Sequence, residues 1–513
     1  MKERITKSIF WMVLSRGGVQ AISLVTTLFI ARLLSPEDYG LMALAGIWVF
    51  TISLLSEMGL GAAVIQFRDL DQRELNACFW LTLIIGVVGY GTLYAAAPAI
   101  ASWFATPRLT DVLRVVGLAL PLLSMRVVPD GLLRQRLALD RISQIEMAAA
   151  LITIPVAVIL AWSGAGVWTL VAAQLVQQMC QTLSMFYLVE WRPGVHIGSA
   201  RLHKILRFSG TVTGTRLAWA AFKQADNVII GKVCGDAILG TYSLAKQIAM
   251  LPIEKVAGAV AQISFPVMAE LQDDRETMRR YFLKSIRLVS CLVLPLSIGI
   301  LLVADDFVLL VLGEKWMTTV PILRVLCIYT FNSSLTFLLS PVNVACYRVD
   351  LDFRYMVAQA LVMPLALWIG ATWYGAIGAA VAWTAVHPLV LSWLITQSVK
   401  GLDLSWRHLF KEVRSACMAT LVMAIAVIGV RWGFTFSNSS ATVLRLLGCV
   451  TAGIVTYVLT LIWVARPVAD EIFGLLRSLI GSKSTTPRTL AKGVGRTGPE
   501  EPGARAAEAG RGA

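Results

Sequence analysis

A small set of charged side chains interrupts the apolar stretches of this 513-residue sequence, at positions where they could do chemistry. Six are basic and could bind an anion, because a cation in an apolar environment needs an opposite charge or a wet cavity: Arg16, Arg126, Arg216, Lys223, Lys246 and Arg324. Four are acidic and could bind and release H⁺ or Na⁺, since the proton affinity of a carboxylate changes with its surroundings: Glu57, Asp130, Asp226 and Glu254.

Several of these charges also have a purely structural interpretation. Arg126 and Asp130 stand four residues apart, the spacing at which side chains on one helix pair locally. Lys223 precedes Asp226 by about one helical turn and is its expected partner. Glu57 precedes a Gly-rich stretch and could do no more than shape the end of its helix. The functional and the structural interpretations are both open at this point.

The composition indicates which class of protein carries these charges. Hydrophobic residues make up 57% of the chain and charged residues 15%, and the mean hydropathy is +0.72. An ordinary soluble domain has roughly a quarter of its residues charged. Too few polar side chains are therefore available to coat a water-exposed body, and the sequence predicts a polytopic membrane protein.

Apolar runs of the length needed to cross a bilayer, about 20 residues, recur about fourteen times. The predicted spans are Ile9–Leu34, Gly40–Ile65, Ala77–Phe104, Val112–Leu133, Ile145–Trp162, Val167–Val189, Leu206–Val233, Thr241–Phe265, Ile286–Leu312, Val320–Val344, Tyr355–Tyr374, Ile377–Ser398, Ser415–Phe434 and Val443–Val464. The first run follows a basic N-terminus and has no small-residue cleavage site, so we expect a retained span and not a signal peptide.

The loops between these runs alternate in basic content. Clusters such as Arg134, Arg136 and Arg141, or Arg279, Arg280 and Lys284, occur at every second loop, whereas the other loops hold few basic residues. Cytoplasmic loops carry the excess of Lys and Arg. The pattern therefore predicts an even number of spans, with both termini in the cytoplasm.

The sequence also repeats itself internally. A shift of 200 residues aligns Arg16 with Arg216, Ile30 with Ile230, Arg32 with Lys232, Gly40 with Gly240, Leu44 with Leu244 and Ala45 with Ala245. Six spans fit into that shift, which predicts two halves inserted the same way up. Arg32 and Lys232 lie at span ends, where we expect them to snorkel to the interface.

The repeat defines the expected fold and its parts. We predict an all-α polytopic membrane protein with about fourteen transmembrane helices, in two pseudo-symmetric six-helix lobes around a central polar cleft plus an extra C-terminal helix pair. The parts are an N-lobe (1–190), a basic cytoplasmic connector (191–207), a C-lobe (208–399), a connector with the extra helix pair (400–465) and a disordered cytoplasmic tail (466–513).

Polar residues share one stripe on the first span and on the seventh. The stripes are Arg16, Gln20, Ser23 and Thr27, and Thr213, Arg216, Lys223 and Asn227 with Trp219 and Asp226 beside them. Because polar groups at bilayer depth are costly unless they face water or a partner, both stripes should face a common interior between the lobes. Two bundles around a polar cleft form the architecture of an alternating-access transporter.

The chain resembles the polysaccharide-unit flippases of the MATE-like superfamily, closest to the branch that exports colanic acid, teichuronic acid and other exopolysaccharide units. The resemblance is carried by Ala31-Arg-Leu-Leu-Ser-Pro-Glu-Asp-Tyr-Gly40, Glu57-Met-Gly-Leu-Gly61, Asp226-Asn227 with Ile230-Gly231, Leu239-Gly-Thr-Tyr242 and Leu312-Gly-Glu-Lys-Trp316. It covers about Met1 to Val464, which leaves only the tail outside.

The resemblance implies a substrate, a location and a driving force. The substrate would be a polyprenyl-diphosphate-linked oligosaccharide, turned from the cytoplasmic to the outer leaflet of a bacterial inner membrane for surface or exopolysaccharide biosynthesis. The six basic candidates would then line a cationic path for the diphosphate, and the four acidic candidates would couple transport to H⁺ or Na⁺. No other cofactor is expected. The expected partners are membrane lipid and other polysaccharide-assembly proteins, and the functional unit is expected to be a monomer.

Two other functions remain as alternatives. A cation-coupled multidrug antiporter would share the fold but would need acidic residues facing the cleft, whereas these stripes are mainly basic. A polyprenyl-dependent glycosyltransferase or polymerase would need larger outer loops, and no nucleophile with a base, Gly-rich phosphate loop or metal cluster is found, so we expect no enzyme. The net charge is +14, but the basic residues lie between apolar runs and form no basic stripe on a water-facing domain, which argues against nucleic-acid binding. The eight cysteines are isolated in the sequence and indicate neither disulfides nor a zinc site.

Overall fold

The computed structural model describes residues 24–67, 69–136, 138–195, 202–436, 442–464 and 466. Arg16 lies outside these residues, and so does the predicted tail 466–513 apart from residue 466. All regular secondary structure in the described part of the chain is helical. The predicted all-α class is confirmed.

The first half of the chain, residues 24–195, forms eight helices among its described residues. They are α1 (Leu24–Leu33), α2 (Pro36–Glu57), α3 (Leu60–Gln66), α4 (Gln72–Trp103), α5 (Leu109–Val116), α6 (Ala119–Gln135), α7 (Leu139–Trp162) and α8 (Val167–Leu188). The second predicted span corresponds to α2 with α3, and the fourth to α5 with α6.

The second half, residues 202–401, is followed by an additional pair of helices. The helices are α9 (Leu202–Cys234), α10 (Asp236–Pro252), α11 (Gly258–Glu270), α12 (Arg275–Phe307), α13 (Thr319–Ala345), α14 (Val349–Ala385), α15 (His387–Gly401), α16 (Trp406–Phe436) and α17 (Thr442–Val464). One π-helical turn, Ile253–Ala257, joins α10 to α11, and another, Val308–Leu312, extends α12.

Long apolar helices make this a multi-pass membrane protein. Within the described residues, nine helical segments are long and apolar enough to cross a membrane, and the segment Val349–Gly401 contains two predicted spans. Its first helix breaks at Tyr374 and Gly375, where Gly375 takes a φ of 60° that side-chain-bearing residues rarely adopt. The count of about fourteen spans and the lobe boundaries stay predictions.

The second helix of each half is interrupted near the same point. Met58 and Gly59 both have left-handed backbone angles, which ends α2 and turns the chain into α3. The corresponding interruption in the second half is the π turn that follows Pro252. Proline there cannot supply the backbone N–H of a regular helix, and π turns often occur where a helix is disturbed.

The two halves cross at a pair of glycines related by the 200-residue shift. A Cβ atom on Gly40 would lie 1.8 Å from the carbonyl oxygen of Asp236, and a Cβ atom on Gly240 would lie 1.8 Å from that of Pro36. Only residues without a side chain permit helices α2 and α10 to approach so closely. The start of α2 is fixed by a capping box, in which Ser35 and Asp38 exchange hydrogen bonds.

Further contacts between the halves lie around this crossing. We call the region formed by residues 31–40, 103, 231–240 and 310–316 the latch end. Arg32 Nη1 donates to the carbonyl of Leu310 at 2.6 Å, and Lys232 Nζ donates to the carbonyl of Trp103 at 2.5 Å. Both acceptors lie at the end of a long helix in the opposite half, where carbonyl groups lack intrahelical partners. Each of these two cations therefore caps a helix of the opposite half, and their snorkelling to the interface stays a prediction.

Ion pairs attach the C-terminal helices α16 and α17 to α12. Arg431 pairs with Asp305, and Arg445 pairs with Asp306, which is fully buried. Tyr457 also donates to the carbonyl of Cys291 at 2.6 Å. These contacts hold the additional helix pair against the second half.

Candidate functional site

A salt bridge joins the two halves at the far end of α2. Arg216 Nη1 on α9 lies 2.7 Å from Glu57 Oε1, and the two side chains are 40% and 30% exposed. These residues were separate candidates in the sequence, one for binding an anion and one for coupling. The pair shows that Glu57 does more than end its helix.

Arg126 lies close to this salt bridge but turns toward another helix. Its guanidinium donates to Gln178 Oε1 at 3.0 Å and to Gln181, both on α8. It is also within electrostatic range of three carboxylates, Asp130, Glu146 and Glu57. The carboxamides that accept its hydrogen bonds are themselves neutral.

The predicted local pair of Arg126 with Asp130 is wrong. Asp130 accepts instead from Arg134 Nε at 2.7 Å, one turn further along α6. The reason is that the side chain of Arg126 extends toward α8, which leaves Asp130 to the other arginine at i+4 spacing. The sequence signal for this arrangement was the i, i+3 spacing of Gln178 and Gln181.

Lys223 lies beside an aromatic pair at the contact between α2 and α9. Its ammonium is 4.6 Å from the ring centroid of Trp219, a cation–π distance. The Trp219 ring is in turn 6.3 Å from that of Phe50 on α2. We call Glu57, Arg126, Arg216, Trp219 and Lys223 the junction.

Asp226 belongs to a second cluster, inside the second half. Its buried carboxylate accepts from Tyr242 Oη at 2.9 Å and pairs with Lys246, both on α10. The prediction that Lys223 is its partner is wrong, because Asp226 faces α10 whereas Lys223 stacks on Trp219. Lys246 is therefore engaged within the second half and does not lie at the junction.

The remaining candidates lie elsewhere. Arg324, in the second turn of α13, pairs with Asp305 beside Arg431. Glu254 is exposed in the π turn after α10, within electrostatic range of Lys223. Arg16 lies outside the described residues. The structure thus brings together Glu57, Arg126 and Arg216, with Asp130 within electrostatic range of Arg126. Lys223 lies within electrostatic range of Asp226, Lys246 and Glu254.

The junction contains three cations, Arg126, Arg216 and Lys223, and the carboxylate of Glu57, which pairs with Arg216 and lies within electrostatic range of Arg126. Asp130 and Glu146 are also within electrostatic range of Arg126, and Glu254 and Asp226 are within range of Lys223. Guanidinium groups offer forked donors that match phosphate oxygens, and an ammonium adds a compact charge. An anion with several oxygens is therefore the kind of ligand that this arrangement can bind.

The fold is that of the MATE-like membrane transporters. The structure aligns with the lipid II flippase MurJ in an inward closed conformation with a TM-score of 0.71 and 13% identity, covering 89% of this chain and 99% of that one. It also aligns with an inward-facing multidrug resistance transporter of the MATE family at a TM-score of 0.60 and 16% identity, covering 74% and 94%.

The chain belongs to the family of polysaccharide biosynthesis proteins, whose pattern it matches over residues 29–321. The lipopolysaccharide biosynthesis protein WzxC of Escherichia coli is 25% identical over 77% of this chain and 81% of its own. The teichuronic acid biosynthesis protein TuaB of Bacillus subtilis is 26% identical, covering 89% and 96%. The succinoglycan transport protein ExoT of Rhizobium meliloti is 25% identical, covering 92% and 96%. The resemblance inferred from the sequence motifs is confirmed.

Proposed function

We propose that this protein is a flippase that moves a polyprenyl-diphosphate-linked oligosaccharide from the cytoplasmic to the outer leaflet of a bacterial inner membrane. The observation that carries the proposal is the junction between the two halves, where Arg216 pairs with a half-exposed carboxylate and Arg126 is held by two neutral carboxamides. A diphosphate has at least two negative charges and needs cationic donors wherever it leaves bulk water. The names of the relatives WzxC, TuaB and ExoT support a polysaccharide substrate.

In this proposal Glu57 occupies the anion-binding position on Arg216 until the substrate binds. With no diphosphate bound, its carboxylate neutralises Arg216 and ties α2 to α9. The diphosphate competes for the same guanidinium, while Arg126 and Lys223 supply further positive charge. Substrate binding therefore replaces an internal contact between the halves with a contact through the ligand.

The latch end faces the outside in this proposal, and both termini are cytoplasmic. Basic residues at alternate loops support that orientation, since they cluster on the opposite side of the molecule from Gly40 and Gly240. Transport alternates between closure at the latch end and closure at the junction. A cation gradient drives the cycle, the working unit is a monomer, and other polysaccharide-assembly proteins supply and remove the substrate.

The test is movement of a fluorescent polyprenyl-diphosphate oligosaccharide between the leaflets of liposomes that contain the purified protein. Protein-dependent movement supports the proposal, with protein-free liposomes as the control. A parallel assay follows efflux of a small cationic dye under an imposed H⁺ or Na⁺ gradient. Efflux of the dye without movement of the lipid would favour the multidrug antiporter and contradict the proposal.

A further inference from the structure

The interior of the second half contains a histidine that the proposed transport path does not use. His387 is the first residue of α15 and is 4% exposed. Its Nε2 atom lies 3.0 Å from the hydroxyl of Tyr355, whereas its Nδ1 atom has no hydrogen-bond partner among the described residues. A buried polar atom with no partner is costly, so this position calls for an explanation.

The hydrogen bonds around Tyr355 define how the neutral imidazole is held. Gln359 Nε2 donates to the Tyr355 hydroxyl at 3.1 Å, so the single hydroxyl proton is available for His387 Nε2. Nε2 then accepts, and the ring proton lies on Nδ1. Binding of one proton at Nε2 requires the hydroxyl of Tyr355 to turn its own proton away.

Aromatic rings surround the imidazole on its other sides. The ring centroids of Tyr329 and Trp383 lie 4.9 and 6.2 Å from that of His387, and that of Tyr355 lies at 6.5 Å. Asp226 and Lys246 pair with each other, and Lys246 contacts the Trp383 ring at 5.8 Å.

His387 also adjoins an irregular point in the helical segment. Val386 has helical backbone angles and its N–H donates to the carbonyl of Ala382, but Pro388 has no backbone N–H, so one helical hydrogen bond is missing where α14 continues into α15. The hydrogen bond that Nε2 accepts from Tyr355 is the arrangement of a neutral imidazole.

We propose that His387 is the proton-binding site that couples the H⁺ gradient to transport. The inference rests on the proposed function and names the ion that drives it. A proton taken from the outer solution binds Nε2 when the latch end is open, and it leaves toward the cytoplasm when the present closed conformation returns. The hydrogen bond missing at Pro388 allows α15 to bend relative to α14 between these two states.

The first experiment compares His387→Gln with wild type in the liposome assay, with and without a pH gradient. We expect stimulation of lipid movement by the gradient to fall at least about fivefold, the size of a typical coupling between two sites. The matched control is His408→Gln, because His408 is exposed and bonds only Ser405 at the start of α16. We expect this control to retain the wild-type stimulation.

The second experiment observes the proton directly. The chain has four histidines, so isotope-labelled histidine gives few NMR signals, and His387→Gln identifies the signal that it removes. We expect that signal to titrate between about pH 5 and 8 when the latch end is held open by Gly40→Ala, and Tyr355→Phe to move its midpoint to higher pH.

The outcomes separate the two proposals. A wild-type protein that moves no lipid, with a titrating His387, would contradict the flippase function and leave the proton site in place. A His387→Gln variant that moves lipid with the full wild-type response to the pH gradient would overturn the proton site and leave the flippase function in place. A His387 signal that does not change over the same pH range would also overturn the proton site.

Discussion

At the scale of single residues, Glu57 and Arg216 form a link that the substrate replaces in the proposed mechanism. The pair is half-exposed, so the two side chains contribute little to stability by themselves, roughly 1 kcal/mol or less. A weak internal partner suits a cation that must be released to a ligand. Stronger burial, as at Asp226, would instead hold the cation permanently.

Glu57→Gln removes the carboxylate that competes for Arg216. We expect affinity for the diphosphate-linked lipid to increase by up to about fivefold, since a half-exposed ion pair contributes about 1 kcal/mol at most. A binding titration in detergent measures the effect. Glu276→Gln is the control, because Glu276 pairs with Arg280 in an exposed position on α12. Unchanged or weaker binding by Glu57→Gln would contradict the competition.

Asp226→Asn leaves Lys246 without its counter-charge inside the second half. We expect the free energy of unfolding to fall by about 3 kcal/mol. This value is at the lower end for breaking a buried ion pair, because the side chain of Lys246 is partly exposed. The double variant Asp226→Asn/Lys246→Met should regain most of that loss. Unfolding in a detergent series measures the stability of the single and the double variant. A double variant less stable than the single one would show that the unpaired Lys246 does not cause the loss of stability.

The sequence could locate these charges but not their partners. Intramembrane charges are rare, so Glu57, Arg216 and Asp226 were identifiable from composition alone. Their partners were predicted at i+3 or i+4 because local spacing is the only geometry that a single sequence supplies. Arg216 and Glu57 are 159 residues apart, so only the packing of α2 against α9 reveals the pair.

At the scale of helices, the crossing of α2 and α10 depends on the absence of two side chains. Gly40 and Gly240 each face a backbone carbonyl of the other helix, and a carbonyl cannot move aside as a flexible side chain can. The glycines were visible in the sequence as an aligned pair of the internal repeat. The sequence did not show that each glycine contacts the other's helix. An alignment at a shift of 200 residues shows that two positions are equivalent, but it does not give the distance between them.

Gly40→Ala should separate the starts of α2 and α10. The added methyl group would lie 1.8 Å from the Asp236 carbonyl, so we expect a loss of roughly 1 to 3 kcal/mol and a larger distance between spin labels at Glu37 and Ile238. Gly46→Ala on the same helix is the matched control, because its Cβ meets nothing within 4 Å. Equal label distances in Gly40→Ala and wild type would contradict the role of the crossing.

At the scale of the whole molecule, the halves are joined at two places of different character. The latch end is closed by the Gly40–Gly240 crossing and by two cations that cap helix ends, whereas the described contacts at the junction include the half-exposed Glu57–Arg216 salt bridge and the packing of Phe50 against Trp219. In the proposed cycle the junction is the closure that opens to admit the anionic ligand.

The most direct test of this account is the charge dependence of lipid movement in liposomes. The rates are compared for wild type, for Arg126→Gln/Arg216→Gln and for the control Arg280→Gln, whose arginine is exposed on α12. The account predicts movement of a polyprenyl-diphosphate oligosaccharide by wild type and control, and a loss of at least about tenfold in the double variant, equivalent to about 1.4 kcal/mol. A folded double variant that moves this lipid at the wild-type rate would contradict the claim that the junction binds the diphosphate.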